Sequence, residues 1–379
     1  MDERKMNGKA SSSNRIRVLA INPGSTSTKI ALFDNYDALF RKVIKHSPSD
    51  LRAFPEIQDQ LGLRTAAVEK AMIENGYAME DVDVYSGRGG GLMSVVGGVY
   101  IVSDLLAKHA STGMHGQHPA QLGSQIAKKF ADKFGKPALV VNPPDTDEFI
   151  EIARVTGIKG IYRQSHLHAL NQKEIALRFC SGRGIKYEEN NFIVCHIGGG
   201  ISITAHEKGR MIDSNDIILG SGPMTPTRAG DLPYMMVVDL AYSGEYTKKE
   251  LTYKLNKGGG LTDHFGTSDA RDVLDLIEKG DAYAKTILDG MIYQNAKCVG
   301  AMAIALKGKV DAIILTGGIS NSKYFTNTMK EYIGWIAEVL VMPGEFELEA
   351  LAAGAVRVMR GEETAKTYTG VPVWEGFDN

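Results

Sequence analysis

The stretch Val18-Leu19-Ala20-Ile21-Asn22-Pro23-Gly24-Ser25-Thr26-Ser27-Thr28-Lys29-Ile30-Ala31-Leu32-Phe33 decides how the rest of the chain is read. A short apolar strand enters a small polar turn. A second strand leaves it, because Ile30 and Leu32 alternate with smaller residues. The turn offers backbone N–H groups, the hydroxyls of Ser25, Thr26, Ser27 and Thr28, and the cation of Lys29. Such donors can hold phosphate oxygens at the mouth of a hairpin. A Walker loop differs, since its glycine turn opens a helix. The pattern therefore points away from P-loop and dinucleotide-binding folds.

The same plan recurs. Phe192–Ile197 is an apolar strand, Gly198-Gly199-Gly200 a turn, and Ile201–Ala205 the returning strand; Glu207-Lys208-Gly209 then leads into Arg210–Asp213. Strand, glycine turn, strand, turn, strand thus occurs once per half, as an internal duplication produces. A third glycine turn, Thr316-Gly317-Gly318, ends the apolar strand Val310–Leu315. Helical spacing predicts helices over Thr65–Asn75, from Pro119, across Ala282–Lys307 and over Glu347–Arg360, with strands at Val82–Ser86 and Ala138–Val141. One glycine turn is ordinary strand punctuation. Three at strand ends, two of them in repeated hairpins, favour a nucleotide cleft, because glycine has no Cβ to block a close approach. The expected class is α/β: two duplicated actin-like ATPase (ribonuclease H-like) domains around a nucleotide cleft. The expected boundaries are 1–148 plus 351–379 for one domain and 149–350 for the other, with 1–15 a polar tail.

A chain of 379 residues exceeds a single hydrophobic core. Lys and Arg number 43 against 45 Asp and Glu, so the basic surplus of a nucleic-acid binder is absent. No run of about 18 apolar residues is present to span a membrane. The first 15 residues lack the apolar core of a signal peptide. Cys180, Cys195 and Cys298 are dispersed, which fits a reducing compartment and not a disulfide scaffold. The expectation is a cytoplasmic protein with neither nucleic-acid nor membrane partners.

Several strings now acquire a common meaning. Ile21–Lys29, Ser86-Gly87-Arg88-Gly89-Gly90, Gly116-Gln117-His118, His168-Ala169-Leu170-Asn171-Gln172-Lys173, His196–Gly200 and Leu315-Thr316-Gly317-Gly318-Ile319 resemble the motifs of the acetate and butyrate kinase family, within the acetate kinase, hexokinase and actin superfamily. They span about residues 16 to 361. Asn22-Pro23-Gly24 and the His-Ala-Leu-Asn-Gln string resemble butyrate and branched-chain fatty acid kinases most. The resemblance implies reversible transfer of the ATP γ-phosphoryl group to a short-chain fatty acid carboxylate, giving an acyl phosphate and ADP. It also implies Mg2+ and a homo-oligomer. The alternatives are an acetate or propionate kinase, differing in pocket volume, and an ATP-binding sensor that has lost catalysis.

A carboxylate is already a nucleophile, so the difficulty is an anion approaching a polyanion, and cations and donors are what catalysis needs. By resemblance, Arg88 and Arg228 clamp the anions, one from each half, and His168 donates a hydrogen bond to the transferring group. His118 matches a position near the acyl substrate. Gly24, Ser25, Thr26, Ser27, Lys29, His196, Gly198, Gly199, Gly200, Gly317, Gly318, Ile319 and Asn321 match nucleotide contacts, as does the Asp269-Ala270-Arg271 segment. Asn22 and Glu349 match the protein side of the magnesium site. Lys29 could equally point outward from its strand. Asp269–Arg271 also reads as a helix start, with Ser268 as cap and Asp272 in the first turn. His166 and His115 read as structural or exposed, because zinc would need further ligands nearby.

Three positions depart from the family pattern. Asn142 stands where members generally carry aspartate, keeping an acceptor oxygen but losing the charge. Thr227 replaces a usual glutamate and Ser221 a frequent aspartate, both near Arg228. Asp145 reads as the cap of a following helix, with Glu148 completing a capping box.

Overall fold

The computed structural model describes residues 15–54, 56–113 and 118–377. His115, Gly116, Gln117 and tail residues 1–14 lie outside them. The chain divides into two compact units. The first gathers the chain up to Leu92, Gly98–Val141 and Leu348–Gly370; the second gathers Met93–Gly97, Asn142–Glu347 and the chain from Val371.

The first unit is built on strands β1 (Arg17–Pro23), β2 (Ser27–Asp34), β3 (Asp37–Lys45), β4 (Val84–Gly87), β5 (Val99–Ile101) and β6 (Ala138–Val141). Their spatial order is β3-β2-β1-β4-β6-β5. β1, β2 and β3 form an antiparallel meander, whereas β1, β4 and β6 run parallel. β1 is central and reads as a continuous apolar run because both its faces are covered. β3 lies at the edge and buries none of its residues. Helices Leu61–Glu74, Gln121–Phe134 and Glu347–Met359 belong to this unit. Gly354 of the last sits where a Cβ would come within 2.6 Å of Val141 Cγ2, so glycine permits close helix–sheet packing.

The second unit repeats the plan with β7 (Asn191–Ile197), β8 (Ile201–Glu207), β9 (Arg210–Ser214), β10 (Ala312–Thr316) and β11 (Glu338–Val341), in the order β11-β10-β7-β8-β9. Here β7, β8 and β9 form the antiparallel meander, and β7, β10 and β11 run parallel. Alternate residues of β7 face opposite layers. Ile193, Cys195 and Ile197 pack with Leu288, Ile292 and Val299 of the Ala282–Ala305 helix. Phe192 and Val194 pack with Ile175 and Phe179 of the Ala169–Arg183 helix. A meander feeding a parallel strand in each unit is the topology that the repeated sequence pattern anticipates.

Two local expectations are corrected. No helix starts at Asp145. Glu148 instead ties distant segments together: its Oε1 accepts from Gly97 N (2.9 Å) and Lys173 Nζ (2.8 Å), and its Oε2 from Met211 N (2.7 Å). The short Glu151–Arg154 helix begins after Ile150 without a side-chain cap. In the 270s helix the cap is Asp269, not Ser268, and its side chain accepts from Arg271 N. No helix among the described residues is long and apolar enough to cross a membrane.

Candidate functional site

In the first unit the Gly24–Thr28 turn joins β1 to β2 and is closed by Gly24 N donating to Ser27 O (2.7 Å). Ser25 and Thr26 are exposed, Thr28 is buried, and Lys29 points outward from β2. Beneath the turn lies a residue that sequence reasoning missed, Arg64 of the Leu61–Glu74 helix, which is fully buried. Its five N–H donors are all engaged. Nη1 reaches Ser27 O and Thr28 Oγ1 (3.0 Å each), Nη2 reaches Ser25 O (3.1 Å) and Gln60 Oε1 (2.9 Å), and Nε reaches Gln60 Oε1 (3.1 Å). Burial holds its pKa below the usual arginine value. Thr28 Oγ1 also meets His46 Nε2 (2.8 Å), whose pKa is depressed by burial and then by Arg64. The carbonyls of the turn are thus satisfied from below, and its outer edge is left to solvent or ligand.

Arg88 follows β4 and is fixed by backbone contacts. Its N–H donates to Ile21 O (2.8 Å), and its carbonyl accepts from Ser124 N (2.9 Å). A Cβ on Gly87 would meet Gly123 O at 2.1 Å, and one on Gly123 would meet Arg88 O at 2.5 Å. Two glycines therefore let the strand end touch the Gln121–Phe134 helix, and that contact sets where Arg88 departs. His118 anchors the entry to this helix, its Nδ1 accepting from Ala120 N (3.1 Å). Asn22 is buried on β1. Glu349 is half-buried and receives Arg41 Nη2 (2.8 Å).

In the second unit several candidates converge at the C-terminal ends of β7 and β10, where open α/β sheets bind ligands. Gly317 (φ 89°) ends β10, and a Cβ there would strike Ile197 O at 2.4 Å. The second and third glycine turns therefore touch. Gly318, Ile319 and Asn321 form the short helical turn that follows, with Asn321 Nδ2 donating to Gly318 O (2.9 Å). His168 precedes the Ala169–Arg183 helix, and its ring stacks on that of His196 (centroids 4.0 Å, planes 22° apart).

The Thr225–Arg228 loop lies on the glycine turn. Thr225 Oγ1 and Thr227 Oγ1 both donate to Gly199 O (2.9 Å each). A Cβ at Gly200 would fall 1.9 Å from Arg228 Nη1, so the missing side chain makes room for this guanidinium. Nη1 is buried with no hydrogen-bond partner among the described residues. Burial pulls the Arg228 pKa down, opposed by the Asp216 carboxylate. Burial also works against the charge on Asp216, but bonds from His166 Nδ1 (2.9 Å), Leu219 N and Ile218 N outweigh it and hold its pKa low. Arg228 lines a cavity of about 480 Å³ whose apolar wall includes Ile201, Ile217, Leu219, Pro223, Leu232 and Val237.

Asp269 and Arg271 pair with each other (Nε to Oδ1 2.9 Å), which lowers the Asp269 pKa to about 2. Ala270 is a core residue. Asn142 is buried just past β6 at φ 38°, a conformation asparagine tolerates better than most residues. No group of three or more His, Cys, Asp or Glu suited to a metal occurs among the described residues.

Against known proteins, the model of the acetokinase family matches residues 159–336. The solved acetate kinase of Porphyromonas gingivalis is similar at 19% identity, covering 91% of this chain and 100% of its own, with a TM-score of 0.74. A propionate kinase from Francisella tularensis gives 19% identity, 89% and 98% coverage and 0.68. Acetate kinase from Entamoeba histolytica gives 17%, 89% and 98%, and 0.72. The fold is accordingly the actin-like α/β fold of acetate kinases.

Proposed function

We propose that the chain is an ATP-dependent carboxylate kinase, converting a short-chain fatty acid to its acyl phosphate, with butyrate or a branched relative preferred to acetate. One observation carries this reading. Arg228 presents a buried Nη1, without a hydrogen-bond partner among the described residues, beside an apolar-walled cavity in the segment that the acetokinase-family model matches. A carboxylate with an apolar tail suits both features, since guanidinium pairs with carboxylate and the walls accept methylenes.

A carboxylate oxygen attacks the γ-phosphorus, the bond to the β–γ bridging oxygen breaks, and ADP departs. Arg228 and Arg88 lower the repulsion between the anions, and His168 donates to an oxygen of the transferring group. Backbone N–H groups of the Gly24–Thr28 and Gly198–Gly200 turns are the proposed phosphate donors; Lys29, pointing outward from its strand, is not one of them. Magnesium, when bound, neutralises phosphate charge. Asn22 and Glu349 supply few protein oxygens, which suits an ion held mostly by phosphates and water. Glu349 would share its carboxylate with Arg41.

Each additional buried methylene contributes about 0.8 kcal/mol, so butyrate should exceed acetate in kcat/KM by about 15-fold. Trapping acyl phosphate with hydroxylamine, using ATP, Mg2+ and acetate, propionate, butyrate or isobutyrate, tests the reading. Preference for the smaller acids, which the solved acetate and propionate kinases bring forward, would reassign the substrate. No product with any acid would leave the sensor reading, which Asn142 motivates.

A further inference from the structure

Asn171 and Gln172 are adjacent, buried, and have no role in the chemistry above. Asn171 reaches one of the two stacked histidines directly and Gln172 reaches the other through Ser202, and each has its amide orientation fixed by a backbone group that can play only one part. Asn171 Oδ1 accepts from Phe346 N (2.9 Å), and a backbone N–H can only donate. The Asn171 NH2 therefore faces His196 Nδ1 (2.9 Å), so Nδ1 accepts and the proton of a neutral His196 sits on Nε2.

Gln172 Nε2 lies 3.0 Å from Ser202 O, and a carbonyl can only accept. Its NH2 therefore faces Ser202 and also donates to Ser202 Oγ (2.7 Å). The hydroxyl oxygen takes a second, longer donor in His168 N (3.4 Å). Both its lone pairs are then occupied. The contact between Ser202 Oγ and His168 Nδ1 (2.8 Å) must use the hydroxyl hydrogen, so His168 Nδ1 accepts as well. The far side of Gln172 agrees. Its Oε1 takes His206 Nε2–H (2.9 Å), while His206 Nδ1 accepts from Tyr187 OH (2.6 Å). Burial, then Lys173, keeps the His206 pKa well below the usual value, as this neutral tautomer requires.

We infer that Asn171 and Gln172 are positioning residues, the second acting through Ser202, which hold His196 and His168 as a stacked pair of neutral Nε2–H donors for an oxyanion. The role rests on the carboxylate kinase reading; the tautomers do not. Parallel rings 4.0 Å apart then offer two donors without placing two imidazolium charges face to face. Protonating His196 at Nδ1 would set N–H against the NH2 of Asn171. The deprotonated acceptor of a carboxylate would instead welcome that proton.

Full-length protein labelled with [15N]histidine tests this, with the two rings assigned through His168→Gln and His196→Gln. In the wild type at alkaline pH, long-range 1H–15N spectra should show unprotonated Nδ1 and protonated Nε2 on both rings. Asn171→Asp keeps the acceptor for Phe346 N and should move the His196 proton to Nδ1. Ser202→Ala should mix the His168 tautomers, and Ser202→Thr should restore the single form. Asn171→Asp should also reduce kcat on the order of 10²-fold, the loss of one oxyanion donor, with KM changed much less. Protonated Nδ1 in the wild type, or tautomers indifferent to these variants, would overturn the inference. Hydroxamate assays on the same samples separate the two readings. Correct tautomers without acyl phosphate from any acid would remove the oxyanion role along with the kinase reading and leave the tautomer assignment standing. Acyl phosphate with Nδ1-protonated rings would remove only the positioning role.

Discussion

The two hairpin turns, Gly24–Thr28 and Gly198–Gly200, sit at the same point of the same strand plan, and each has an arginine beside it. The two arginines work in opposite directions. Arg64 lies under the first turn with all five donors on internal acceptors. Arg228 lies over the second, where threonine hydroxyls already satisfy the Gly199 carbonyl and one guanidinium nitrogen is left unmet. Duplication preserved the strands, because a sheet tolerates few topologies. It did not preserve how the turn is braced. Where hydroxyls brace the turn, the cation keeps a nitrogen without a partner among the described residues, which is the feature the proposed carboxylate contact uses.

The largest expected difference comes from deleting each cation. Arg228→Ala should lower kcat/KM on the order of 10²–10³-fold, as for loss of a donor to developing charge, while leaving the urea midpoint almost unchanged. Arg64→Ala should do the reverse. It strands several buried acceptors at about 1–3 kcal/mol each, so urea unfolding should report a loss of at least about 3 kcal/mol. Equal stability losses in both variants would erase the distinction.

Adding a methyl group to each turn should sharpen it next. Gly200→Ala puts a Cβ 1.9 Å from Arg228 Nη1 and should displace the guanidinium, costing roughly tenfold or more in kcat/KM, about 1.4 kcal/mol. Gly24→Ala meets Ser27 O at 3.6 Å and Ser27 Oγ at 3.8 Å, both ordinary van der Waals contacts, so steady-state kinetics should barely change. Gly317→Ala, at φ 89° against Ile197 O, should instead lower the thermal midpoint, because both backbone and packing are strained.

The smallest effect concerns acid. The Asp269 pKa falls from 3.8 to about 2 in the folded state, first through its side-chain bond with Arg271. A depressed carboxylate stabilises the fold above its unfolded pKa, and that contribution disappears as pH drops from about 4 towards 2. Asp269→Asn should flatten the acid-unfolding curve slightly in that window. An unchanged curve would show that the exposed pair contributes nothing.

Some of the backbone framework around the candidate residues was legible before any coordinates because its signals are local. A glycine-serine turn between alternating apolar residues announces a hairpin, and Gly-Arg-Gly-Gly at a strand end marks Arg88. Other readings failed where a local pattern had a distant partner. Asp145-x-x-Glu148 has the spacing of a capping box, yet Glu148 answers Gly97, Lys173 and Met211. Ser268 has capping chemistry, but Asp269 one residue later takes the position. Arg64 gave no sign of its role, since the turn it braces lies 36 to 39 residues earlier. Asn171 and Gln172 belonged to a recognised string, but nothing in a string says which way an amide faces.

The order of residues by itself determined the α/β class, the doubled strand plan and the places where the backbone must turn tightly. Periodicity and turn chemistry act over a few residues and survive being read one segment at a time. Tertiary structure alone decided which arginine faces inward, which glycine makes room for a guanidinium, and which ring nitrogen carries a proton. Those outcomes depend on donors and acceptors that are far apart in the chain and must be matched within about 3 Å, a condition that only the folded arrangement of both partners can meet.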